Sequence, residues 1–365
     1  MNARSISGLV ESGVAPVDRL RRLLLGLLLG SRPIAFVLTR KDRRLAAVTT
    51  LHAAVAFALA VYFPVLLFVL GPITFGALHV AADVRHLVMR RRLAAWWKTS
   101  VLAGCAALLG LHGLEHLGVL QPSPRLESIM VMSWATAGAL AGAARSGAWL
   151  RAAAAIGLVA LFGGLSIHWP HIWRIAFLHA HNLVALAVWP IFFRSRRRAM
   201  LVPLALILGG AGLLASGALW RVSLASAGVS QFGLHVFQVS DWIAPLRRAD
   251  FAVGLTSAFV FLQAVHYAIW LNVIPQGEVR GQGTLTFRMS VRSLFADLGA
   301  VGVTLTLLTA VAIAVGAGIA ITRTLAAYLS LAMFHGYLEL VMIAYLWVAR
   351  GTADLRGARQ VSIAA

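Results

Sequence analysis

His79 and Asp83 stand four residues apart in Phe75-Gly-Ala-Leu-His-Val-Ala-Ala-Asp-Val-Arg-His86, a run otherwise apolar enough to lie inside a membrane. His335 and Glu339 repeat that spacing near the C-terminus, and His112, Glu115 and His116 form a third set. Residues at i, i+3 and i+4 share one side of a helix, so each set gathers imidazole and carboxylate on one face. Ionisable side chains inside a bilayer are costly and point to function by default. Three chemistries use them. In a metal centre, imidazoles ligate while carboxylates ligate or fix a histidine tautomer. In a haem protein, histidines on facing helices are axial ligands. In a transporter, the same groups relay protons or ions. For any single pair the plain alternative is a buried hydrogen bond that joins two helices.

A helix rises about 1.5 Å per residue, which converts position along a span into depth. On that scale His79, Asp83, His112, His179, His181 and His335 share a layer roughly 9–16 Å below the external face. His52, His86, His266 and Glu339 fall deeper, at roughly 20–25 Å. The expected metal ligands are His79, His112, His179, His181, His266 and His335, with Asp83 and Glu339 as the catalytic carboxylates. His168 and His171, set among Trp169 and Trp173, read as part of an interfacial belt. His52 and His235 read as incidental.

The elements that must position these groups are transmembrane helices. The chain of 365 residues is 60% hydrophobic and only 12% charged, against about 45–50% and 25% in soluble domains. Its apolar runs predict an all-α, polytopic bundle of about ten spans. They lie near 46–69, 72–89, 97–118, 127–143, 149–167, 173–193, 200–219, 251–274, 293–319 and 324–348. With ten spans and an internal N-terminus, roughly 26 of the 32 Lys and Arg fall on one side, and Arg125, Arg174, Arg221, Arg247, Arg248 and Arg323 fall on the other. That asymmetry places both termini in the cytoplasm of a bacterial inner-membrane protein. The formal net charge of +20 is therefore a topology signal and not a nucleic-acid footprint. Residues 1–44 read as a basic cytoplasmic or interfacial segment, 45–350 as the membrane domain and 351–365 as a cytoplasmic tail. Residues 220–250 form one long external segment, either a loop on the headgroups or a lid.

The single cysteine, Cys105, excludes an internal disulfide and any cysteine-based zinc or iron–sulfur centre. No Walker loop, dinucleotide fingerprint or Ser/His/Asp motif stands out. A histidine-rich set with carboxylates and open positions suits iron and oxygen activation. The surrounding apolar helices would admit a lipophilic substrate from the bilayer.

Phe75-Gly-Ala-Leu-His-Val-Ala-Ala-Asp83 resembles the glycine–histidine–aspartate stretches of the Brp/Blh family of bacterial membrane enzymes, which cleave β-carotene with iron. Phe261-Leu-Gln-Ala-Val-His266, followed by Tyr267 and Trp270, is similar to that family's late aromatic–histidine helix. His335-Gly-Tyr-Leu-Glu339 is similar to its last histidine and acid, with Glu for Asp. The resemblance implies His79, His266 and His335 as iron ligands supported by Asp83 and Glu339, with a carotenoid or other isoprenoid as substrate. Haem-linked electron transfer and ion-coupled transport remain the alternatives from the residues themselves.

Overall fold

A computed structural model describes residues 3–192, 197–246, 248–279 and 283–349. The tail 351–365 and part of the Arg194–Arg198 run lie outside the described residues. The protein is an all-α membrane protein. Among the described residues, seven helices are long and apolar enough to cross a bilayer: α3 (Lys41–Tyr62), α4 (Pro64–Met89), α6 (Pro124–Ser146), α7 (Trp149–His168), α9 (Arg197–Ala215), α12 (Ala249–Glu278) and α13 (Phe287–Val348). Two more, α5 (Ala95–His116) and α8 (Pro170–Phe192), have 22 and 23 residues but carry the lysine, histidines, glutamate and arginine that lower their hydropathy. The remaining helices are α1 (Ala3–Leu29), α2 (Arg32–Leu38), α10 (Trp220–Ala225) and α11 (Val236–Ile243), with a two-residue hairpin of β1 (Ser230–Gln231) and β2 (Leu234–His235).

The boundary between the first two spans differs from the sequence expectation. It falls at Phe63, not at Gly71-Pro72, and α4 continues through Pro72. Proline lacks the N–H that bonds the carbonyl four residues back, and the helix answers by widening into a π turn over Pro72–Gly76. A second π turn covers Val84–Met89, and a third covers Ile269–Val273 of α12, just before Pro275. The last two spans also share one helical element of 62 residues, three times what one crossing needs (about 20). It is not a straight rod. A Cβ on Gly316 would lie 2.9 Å from Thr324 Oγ1, whereas eight residues of straight helix rise about 12 Å. The axis therefore folds back between 316 and 324, near Arg323.

The chain forms two compact units, and it passes between them inside helices at 82/83, 184/185 and 314/315. Unit 1 is built on α12, of whose most apolar window 83% is buried, against 33% for α3 and 22% for α9. Helices α3, α9, α10 and α11 surround it. Small residues let backbones close in: a Cβ on Gly254 would meet Leu214 C=O at 2.6 Å. Gly217, at φ +74°, ends α9 in the left-handed conformation. Lys41, almost fully buried, donates to the carbonyls of Gly277 and Val279, which places a cation at the carbonyl-rich end of α12. Asp18 accepts the N–H groups of Phe287 and Arg288 at 2.9 and 3.0 Å and so caps α13. The 220–250 segment is folded onto α12. His235 N-caps α11 in a capping box with Gln238, and Ser240 bonds Thr256 at 2.8 Å.

Unit 2 is built on α5–α8 and the last arm of α13. A Cβ on Gly138 or Gly142 would meet Val341 C=O at 3.0 Å or Tyr345 C=O at 2.8 Å, so α6 and α13 touch backbone to backbone. Trp97 stacks on Tyr345, with centroids 5.6 Å apart. Val301, Leu308 and Ile319 of α13 are 74%, 60% and 83% exposed, and these large apolar side chains need lipid as their solvent.

Candidate metal-ligand side chains and an apolar cavity

In unit 1, α4 and α12 bring His79 and His266 together. Both are fully buried, their rings meet edge-on at 5.5 Å between centroids, and their donor atoms come within 4.8 Å. His79 Nδ1 lies 3.2 Å from Phe75 C=O. A carbonyl only accepts, so that nitrogen carries the proton and Nε2 presents the lone pair. A ligand histidine is oriented in this way by its other ring nitrogen. Tyr267 packs on the His79 ring at 4.3 Å. Tyr267 and Phe75 also line a cavity of about 690 Å³ between α3, α4 and α12. Its walls are almost wholly aliphatic and aromatic, and it is large enough for a drug-sized ligand. Leu51 and Val55 on its rim are 63% and 50% exposed, so it opens sideways toward lipid.

In unit 2, Asp83 stands one helical turn beyond His79 on the same helix, between two π turns. Such turns cluster at functional sites because they re-aim side chains. Asp83 is fully buried, and neither oxygen has a hydrogen-bond partner among the described residues. A donor atom of His335 lies within 4.8 Å of it. Glu339, also fully buried, is close enough for the two carboxylates to repel. Two such groups in an apolar interior are expensive, and a bound cation removes the expense. His335 donates from Nδ1 to Ala332 C=O, which again leaves Nε2 as the ligating atom. His181 meets His335 edge-on at 5.3 Å and donates from Nδ1 to Leu178 C=O at 2.9 Å. Gly336 allows this approach: a Cβ there would press on Phe177 at 3.2 Å and on His181 Cβ at 3.3 Å.

Of the ligands expected from sequence, His79 and His266 thus stand together in unit 1 and His335 stands beside Asp83 in unit 2, each pair with donor atoms within 4.8 Å. His112, His179 and His181 do not join that spacing among the described residues. His181 instead buttresses His335, and His179 is half-buried on α8. His112 belongs to a different network. Its Nδ1 is 3.2 Å from Glu115, and its Nε2 is 3.8 Å from Glu127. Glu127, 2% exposed, accepts from Arg174 at 2.8 Å and from the Tyr337 hydroxyl at 2.7 Å. Sequence reasoning missed Glu127 and Tyr337. Pro124 and Glu127 read only as an ordinary first helical turn, and Arg174 lies 47 residues away. His52, taken as incidental, lines the apolar cavity. Comparison with protein-family models, with curated proteins and with solved structures returned no match.

Proposed function

We propose that the protein is a membrane-embedded, iron-dependent oxygenase that acts on a lipophilic substrate, in a bacterial cytoplasmic membrane. The observation that carries this reading is one turn of α4. It places Asp83 four residues after His79; His266 lies beside His79 in unit 1, His335 lies beside Asp83 in unit 2, and all four are buried. Imidazole and carboxylate are donors suited to iron, with positions left for oxygen. Iron bound there would supply oxygen activation. The chain's own residues would do the rest. Backbone carbonyls hold the His79 and His335 imidazoles with Nε2 outward, Glu339 balances charge beside Asp83, and the cavity excludes water while it orients an apolar chain against Phe75 and Tyr267.

The topology belongs to the same proposal. Helices α3 to α9, α12 and the two arms of α13 make ten crossings with both termini cytoplasmic. Reporter fusions at residue 365 and within 220–250 check the sidedness. Elemental analysis of the purified protein tests the chemistry. About one iron per chain is expected, lost in His79→Ala and in His335→Ala and kept in His112→Ala. A preparation without a transition metal refutes the reading, and a Soret band that disappears in His181→Ala replaces it with a haem protein.

A further inference from the structure

The cavity in unit 1 is long and uneven in polarity. Its wall runs along α3 from Leu51 to Phe63, a stretch that rises about 18 Å. Helix α3 lies antiparallel to α12, because Lys41 bonds Gly277 C=O while Phe57 packs on Phe261. His52, Thr74 and Asn272 therefore share one end of the cavity. Leu59, Phe63, Leu66 and Leu67 make the other end wholly apolar.

The polar end has a definite hydrogen-bonding character. His52 Nδ1 lies 2.7 Å from Val48 C=O, so it is the protonated nitrogen, and in the neutral ring Nε2 accepts. Asn272, and Gln263 further along the wall, offer amide donors and acceptors. Among the described residues no Lys or Arg lines the cavity, so a carboxylate or phosphate headgroup would be stranded there without a counter-charge.

We infer that the cavity takes a single-chain lipid that ends in a neutral hydroxyl. The hydroxyl donates to His52 Nε2 and accepts from the Asn272 amide, while the chain runs toward Leu59 and Phe63. A plain hydrocarbon leaves the polar end without a partner. This rests on the oxygenase reading only where it identifies the bound lipid as substrate, through the Phe75 and Tyr267 walls shared with His79.

The test is competition binding of radiolabelled hexadecanol, hexadecanoate and hexadecane to the full chain in nanodiscs. Hexadecanol should bind about tenfold more tightly than either analogue, the upper range for one net hydrogen bond. His52→Leu should erase that preference, and His52→Gln, which keeps an acceptor, should retain most of it. Equal binding of the three ligands, or an unchanged preference in His52→Leu, overturns the inference. A preference for the alcohol in a protein that holds no metal removes the oxygenase reading and leaves this one standing. Metal-loaded protein without the preference does the reverse.

Discussion

Replacing Asp83 by Asn should change stability in opposite directions with and without metal. In metal-free protein, Asp83 is a buried carboxylate with no hydrogen-bond partner among the described residues, and Glu339 repels it. A buried, unsatisfied charged group costs more than the roughly 1–3 kcal/mol of a neutral one. Asparagine fills the same space without the charge. The metal-free variant should therefore be more stable than the parent by about 1–2 kcal/mol. With metal at a hundredfold excess over its Kd, the parent gains about 2.7 kcal/mol. The variant has lost an anionic ligand and gains far less. The order of stabilities then reverses, with a total swing of about 4 kcal/mol. At about 2 °C per kcal/mol for a large chain, thermal melts in detergent with EDTA or with added Fe(II) resolve it. If Asp83→Asn is less stable than the parent by the same amount in both conditions, Asp83 is a structural residue and the metal argument fails.

Gly336→Ala places a methyl group 3.2 Å from Phe177 and 3.3 Å from His181 Cβ. It should cost about 1 kcal/mol of overpacking and weaken iron retention under EDTA challenge as His181 is pushed off His335. Gly142→Ala meets Tyr345 C=O at 2.8 Å, a backbone atom that cannot swing aside. It should destabilise by about 1–3 kcal/mol in thermal melts, with iron content unchanged in the folded fraction. Asp18→Ala removes acceptors from the N–H groups of Phe287 and Arg288. The cost of a lost helix cap is about 1 kcal/mol, and amide exchange at the start of α13 should quicken while the rest of the chain stays protected.

How much of this was legible in the sequence depends on whether the signal was local. Apolar run length gave the helices, because a bilayer imposes it on the chain itself. The spacing of His79 and Asp83, and of His335 and Glu339, was legible for the same reason, since i and i+4 share one side of a helix. The break between α3 and α4 was misplaced because Pro72 read as a stop. In fact the helix takes in this proline by widening, and the stop is at Phe63 before Pro64. Depth along the span put His112, His179 and His181 in one layer with His79, but depth carries no azimuth. His112 turns to Glu115, the partner its own spacing offers, and to Glu127, which nothing local to α5 announces.

The π turns explain why the ligand-type residues were easier to name than to aim. A π turn adds a residue to the helical repeat, so side chains beyond it rotate relative to a regular helix. The turn over Pro72–Gly76 stands before His79, that over Val84–Met89 follows Asp83, and that over Ile269–Val273 follows His266. A regular 3.6-residue projection through Pro72 would turn His79 away from the side on which it meets His266. The histidine and aspartate of α4 are thus aimed by the wide turns on either side of them, and such turns occur frequently at functional sites.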